Sequence, residues 1–111
     1  MSDLPLEVTC GETKRRLDAG EELVLLDCRE ESEFAIGVID GATLLPMSGI
    51  QARVGELDPH RDTPVVVYCH HGMRSAQVAN WLRSQGFTAA QSMAGGIDQW
   101  AVEIDPGVPR Y

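Results

Sequence analysis

The residues with the most chemistry to offer lie in one short stretch, Tyr68-Cys69-His70-His71-Gly72-Met73-Arg74-Ser75. A free cysteine titrates near pH ~8.5, so only a few per cent of it is nucleophilic thiolate at neutral pH. Its surroundings must supply the rest. The β-branched run Val65-Val66-Val67 leads into Cys69, and a helical pattern over 75–85 leads away from it. Cys69 is therefore expected where a buried strand gives way to a loop and a helix N-terminus, which favours an anionic sulfur. Inward-turned loop amides and the positive Arg74 are expected to add to this, and Gly72 gives the backbone the freedom to turn. A nest of this kind suits a thiolate nucleophile, and it suits equally a persulfide whose outer sulfur is negative. His70 and His71 are not expected to ligate a metal, because neighbours in a tight loop diverge and no cluster completes a shell. They are expected to line the mouth of the site, with general acid or base work left open.

The elements that must position this stretch can be read from the rest of the chain. With 111 residues, a single domain over 1–111 is expected, its core at about 7–103 and a tail at 104–111. No apolar run approaches membrane-spanning length, and Met1-Ser2-Asp3-Leu4-Pro5 carries no leader pattern, so the expected location is cytoplasmic. Three cysteines, Cys10, Cys28 and Cys69, leave a disulfide framework incomplete, and none is paired as C-x-x-C. A net charge of −8 argues against nucleic acid and anionic membrane as partners. The 17 carboxylate residues all fall in 3–62 and 98–105, leaving an acid-free window around Cys69. The window would spare a thiolate or an anionic substrate from repulsion, although a buried strand and helix also need few acids.

In order, a short strand is expected at 6–8, then a helix capped by Thr9 with Glu12 and stopped at Gly20. Cys10 in its first turn reads as structural. The run Leu23-Val24-Leu25-Leu26 suits a strand buried on both faces, with Asp27-Cys28-Arg29 at its end. A short helix over 30–37, a brief strand at 42–45, and a helix from Ser48 (capped with Gln51) to about Leu57 follow. His60 reads as exposed. After the strand at 65–69 and the helix at 75–85 come a weak strand at 89–93, a Gly95-Gly96 turn and a last helix at 97–103 bearing Trp100. Strands alternating with helices predict an α/β fold, a mainly parallel sheet covered on both faces, with ligands at the carboxyl ends of its strands. Both Asp27-Cys28-Arg29 and the Cys69 loop lie there.

Three blocks then resemble one family. Cys-x-x-Gly-x-Arg-Ser at residues 69–75 is similar to the active-site loop of single-domain rhodaneses. The stretch from Leu25-Leu26-Asp27-Cys28-Arg29-Glu30 through Glu33-Phe34, Gly37, Ile39 and Gly41-Ala42 resembles the family's N-terminal signature. Gly95-Gly96-Ile97-x-x-Trp100 resembles its C-terminal one. The resemblance implies a three-layer domain with about five mainly parallel strands. It also implies a cofactor-free, ping-pong transfer of sulfane sulfur through a persulfide on Cys69. The donor would be thiosulfate or a persulfide; the acceptor would be cyanide, a thiol, or a protein such as a thioredoxin-like one. Cys69 carries over as the nucleophile, and His70, His71, Gly72, Met73 and Arg74 as the substrate-binding loop. Asp27, Arg29 and Glu33 carry over as a structural ionic set. Val38 and Asp40 depart from residues common in the family, and His70-His71 is less basic than loops that favour thiosulfate.

Two other readings remain beside it: a persulfide carrier or binding module serving one protein partner, and a phosphatase or arsenate reductase. The last uses a wider loop, whereas only four residues separate Cys69 from Arg74. Cys28 reads first as a small core hydrophobe. It also ends the strand expected beside that of Cys69, close enough in principle to attack a persulfide there.

Overall fold

The structure, a computed structural model, describes residues 4–111. Met1, Ser2 and Asp3, part of the N-terminus read above for a leader, lie outside the described residues. Five strands form one wholly parallel sheet: β1 (Glu7–Val8), β2 (Val24–Asp27), β3 (Thr43–Leu44), β4 (Val65–Tyr68) and β5 (Ala90–Met93), in the order β1-β5-β4-β2-β3. The architecture is α/β, with helices against both faces.

Alternation along the strands sorts the core into two layers. Val65, Val67 and Cys69 point to the face carrying Leu26, Cys28, Val78 and Leu82, whereas Val66 and Tyr68 point to the face carrying Leu25, Ile97 and Trp100. The first face is covered by α3 (Ile50–Arg53) and α4 (Met73–Ser84), the second by α1 (Cys10–Asp18) and α5 (Gly96–Glu103). The apolar run of β4 is buried at every position, as the sequence pattern requires for the strand at the centre of a two-sided sheet. No described helix is long and apolar enough to cross a membrane.

The weak strand Ala90–Met93 proves to be an interior one, between β4 and β1 and buried throughout. Its polar residues are tolerated because each has partners. The Gln91 amide donates to the Pro5 carbonyl at 3.0 Å, and the Ser92 hydroxyl meets that of Ser75 at 2.7 Å. Thr9 caps α1 as expected, its Oγ1 accepting the Glu12 N–H at 3.0 Å, but the Glu12 carboxylate turns to Arg15 and does not close the box.

The expected helix from Ser48 to Leu57 is broken. It divides into a 3₁₀ turn at Met47–Gly49, the four-residue α3 and a second 3₁₀ segment at Val54–His60. Ser48 does not cap it, because its hydroxyl donates to the Glu30 carboxylate at 2.9 Å. His60 is half-buried, at the edge of a groove with Leu23, Val24 and Leu57, and not free in solvent as its polar neighbours suggested.

Candidate active site

Cys69 follows the last residue of β4, at the carboxyl edge of the sheet, and is 1% exposed. The turn after it is shorter than the sequence suggested. Gly72, at φ +106°, reverses the chain so abruptly that α4 begins at Met73, two residues before the expected start. A side chain at Gly72 would also press on the Gly95 backbone nitrogen at 3.2 Å. The loop proper is therefore His70–Gly72, and Met73 and Arg74 belong to the first helical turn.

That geometry turns N–H groups onto the sulfur. Gly72 N–H and Ser75 N–H donate to Cys69 Sγ at 3.1 and 3.3 Å. The Ser75 hydroxyl lies 3.4 Å from Sγ, 3.2 Å from the Gly72 carbonyl and 2.7 Å from the Ser92 hydroxyl. With a thiol, Cys69 donates to Ser75 Oγ; with a thiolate, the Ser75 hydroxyl donates to the sulfur and is itself supported by Ser92. The N–H groups of Met73 and Arg74, in the first turn of α4, have no carbonyl within the helix to bond.

The Cys69 thiol is brought down from the ordinary cysteine range to about 4. The neighbouring Cys28 thiol is the largest cause. The Ser75 hydroxyl and the Ser75 and Gly72 N–H groups add to it, and together these outweigh the desolvation that opposes them. Cys28 moves the opposite way, its proton held chiefly by the Cys69 sulfur and then by burial. Cys10 is pushed up to about 11, mainly by burial, and its thiol meets the Ala94 and Gly96 carbonyls at 3.6 and 3.8 Å, a structural setting.

The loop is pinned from the far side by α5. Ile97 N–H donates to the Cys69 carbonyl at 2.9 Å and Asp98 N–H to the His70 carbonyl at 3.1 Å. Gly95 and Gly96 sit at φ +80° and +62°, and a Cβ on Gly96 would collide with the Cys69 and His70 carbonyl oxygens. The Gly95-Gly96 pair thus belongs to the site, as the surface on which the loop backbone rests.

The side chains of the loop depart from expectation. Arg74 does not stand free above the sulfur: its guanidinium forks onto the Glu33 carboxylate at 2.7 and 2.9 Å. Glu33, in α2 (Glu31–Ile36), also accepts from the Tyr111 hydroxyl at 2.6 Å, and its carboxyl is held down to about 2 by Arg74 first and Tyr111 second. The acid-free window in sequence is therefore not acid-free in space. Glu33 reaches Arg74 from another segment, and Asp98 lies 3.9 Å from His71. Met73 points outward, 77% exposed, so only its backbone is turned toward the sulfur's helix end. His71 is exposed. The His70 ring stacks on Tyr111 with centroids 3.9 Å apart and lies 3.8 Å from the His71 ring, tilted to it by 32°, and its Nε2 is buried without a partner.

Tyr111 is the residue that sequence reasoning missed. It stands in the tail, 42 positions from Cys69, with no local signal beyond being aromatic. Its hydroxyl also accepts from Arg29 at 3.0 Å. Arg29 is wholly buried, forked onto Asp27 at 2.6–3.1 Å and donating to the Glu33 and Gly37 carbonyls. Of the expected Asp27–Arg29–Glu33 set, Asp27 and Arg29 form the ion pair, whereas Glu33 meets Arg29 only through its backbone carbonyl and gives its carboxylate to Arg74 and Tyr111. Among the described residues no group of three or more His, Cys, Asp or Glu side chains is placed to hold a metal ion.

Comparison with known proteins finds one family. Residues 9–103 match the rhodanese-like domain. A sulfurtransferase of Allochromatium vinosum is 38% identical over 95 residues, covering 86% of this chain and 87% of its own. The probable adenylyltransferase/sulfurtransferase MoeZ of Mycobacterium tuberculosis is 36% identical over 104 residues. That match takes in 94% of this chain but 26% of MoeZ, so the chain spans about a quarter of that relative's length. Among solved structures, the human single-domain sulfurtransferase TSTD1 superposes with a TM-score of 0.78 at 26% identity, over 90% of this chain and 98% of its own. The chain belongs to the rhodanese-like domain family.

Proposed function

We propose that the chain is a sulfurtransferase that carries sulfane sulfur on Cys69 between a small donor and a thiophilic acceptor. The observation that carries this reading is the convergence of the Gly72 and Ser75 N–H groups and the Ser75 hydroxyl on a nearly buried sulfur poised as thiolate. With thiosulfate, the thiolate attacks the sulfane sulfur, the S–S bond to the sulfonate breaks, sulfite leaves, and Cys69 keeps an anionic persulfide. Cyanide then takes the outer sulfur as thiocyanate, or a thiol takes it as a new persulfide, and the Cys69 thiolate returns. The unpaired N–H groups at the start of α4 suit the displaced charge, one bond further out. Backbone amides and the Ser75 hydroxyl hold the sulfur, and Arg74 acts by fixing the turn through Glu33.

A second reading, delivery to a protein acceptor, is favoured by the exposed Met73 side chain one residue past the Gly72 turn, which offers a soft apolar contact for a partner beside the site. The two readings share the persulfide. Intact-mass measurement after treatment with thiosulfate, and separately with a thiol persulfide, is the test. One added sulfur on the wild type and none on Cys69→Ser is the expected result, and the donor that loads faster is the preferred one. No adduct from either donor would sink the proposal.

A further inference from the structure

The paired strands β2 and β4 run in register from Val24↔Val65 to Asp27↔Tyr68, so the next pair along the ladder is Cys28 and Cys69. The ladder continues at least that far, since Cys28 N–H donates to the Tyr68 carbonyl at 3.0 Å. Neighbouring strands lie about 4.8 Å apart, inside the window of roughly 4.4–6.8 Å that a disulfide requires between Cα atoms. By the alternation of the sheet, both side chains project to the α4 face, and both belong to the same dry cluster, 0% and 1% exposed. Among the described residues the Cys28 thiol donates to no carbonyl, unlike that of Cys10.

We propose that Cys28 is a resolving cysteine, which attacks the inner sulfur of a Cys69 persulfide to give a Cys28–Cys69 disulfide and free hydrosulfide. The inference rests on the persulfide reading above and goes beyond it. The new bond joins Cys28 Sγ to Cys69 Sγ, and the bond from Cys69 Sγ to its outer sulfur breaks. The outer sulfur leaves with that electron pair and takes the proton given up by Cys28, so one thiol and one persulfide anion become one disulfide and one hydrosulfide anion. Reopening the bond needs two electrons from a dithiol.

The charge that keeps Cys28 protonated in the resting state sits on Cys69 Sγ. In the persulfide that charge moves one atom outward, so the part of the brake that Cys69 supplies is relaxed, while burial continues to oppose the Cys28 thiolate. The pair therefore acts as a timer. Sulfur passed on promptly goes to the acceptor, whereas sulfur held too long is released as sulfide and the site locks until reduced.

The test loads wild type and Cys28→Val with thiosulfate, removes excess donor, and follows intact mass and free sulfide together. Valine fills a similar volume and suits a strand. The expected wild-type result is loss of the added sulfur, one sulfide released per chain, a product two hydrogens lighter than the reduced chain, and a Cys28–Cys69 cross-linked peptide. Cys28→Val should retain its sulfur until an acceptor is added. Equal rates of sulfide release from both proteins, or recovery of Cys28 and Cys69 as free thiols in the wild type after release, would overturn the inference while leaving the persulfide reading intact. The second readout uses the wild-type chain alone, so it stands even if the variant folds poorly. A wild type that takes up no sulfur from thiosulfate or a thiol persulfide would overturn both.

Discussion

Replacing Ser75 by alanine removes one identifiable contribution to the acidity of Cys69. The hydroxyl stands 3.4 Å from Sγ and is oriented by Ser92 at 2.7 Å, while the Ser75 and Gly72 N–H groups, at 3.3 and 3.1 Å, survive the substitution. A hydrogen bond to a charged group contributes about 1.5–3 kcal/mol, and at this length the lower end applies; about 1.4 kcal/mol is one pKa unit. The midpoint for Cys69, about 4 in the wild type, should therefore rise by roughly one unit. The assay is the rate of alkylation of Cys69 by iodoacetamide across pH, in which Cys10 and Cys28 stay silent because both are pushed upward. The shape of the profile carries the information and its height does not. A thiolate of such low basicity is intrinsically slower, with a Brønsted slope of about 0.4–0.5, which offsets its greater abundance. The wild-type rate should be flat from weakly acidic pH upward. A wild-type midpoint in the ordinary thiol range, or a Ser75→Ala midpoint unmoved from it, would refute the assignment of the sulfur's acidity to this shell. Arg74→Gln should move the midpoint less than Ser75→Ala, because the guanidinium is committed to Glu33.

Three further outcomes are expected. The Glu33 carboxyl lies at about 2 in the folded chain against an ordinary 4.5, so the stabilisation it contributes is fully present above pH 4.5 and lost as pH falls toward 2. Glu33→Gln should cost about 2–3 kcal/mol at neutral pH and flatten urea-denaturation stability across that acidic window. Gly96→Ala should lower the unfolding midpoint by the equivalent of about 2 kcal/mol or more and slow persulfide formation, because its φ of +62° and the Cys69 and His70 carbonyls leave no room for a Cβ. Tyr111→Phe should cost about 1 kcal/mol in the same denaturation assay, since the phenol bonds Glu33 and Arg29 while the ring's stacking on His70 is kept.

Local chemistry made much of this molecule legible in sequence. The β-branched run of β4 and the apolar run of β2 specify strands buried on both faces, and the glycines at 20, 72 and 95–96 all fall at positive φ, where turns require them. Cys69 at a strand end, before a helix, sits where an α/β sheet gathers its ligands. Where local signals misled, a distant partner had overridden them. Ser48 left its capping role for Glu30, and Ala90–Met93, too polar to read as a core strand, is interior because Pro5, Arg16 and Ser75 satisfy it.

The sequence by itself singled out Cys69 as the proposed nucleophile and the turn that holds it, because a strand, a glycine and a helix start are local facts. Only the tertiary structure decided what surrounds that atom. Arg74 is neutralised by Glu33, His70 is covered by Tyr111, and the α5 N-terminus supports the loop, since charges and rings interact through space at distances the chain order does not encode. Parallel register likewise set Cys28 beside Cys69, turning two cysteines 41 residues apart into neighbours on one face of the sheet.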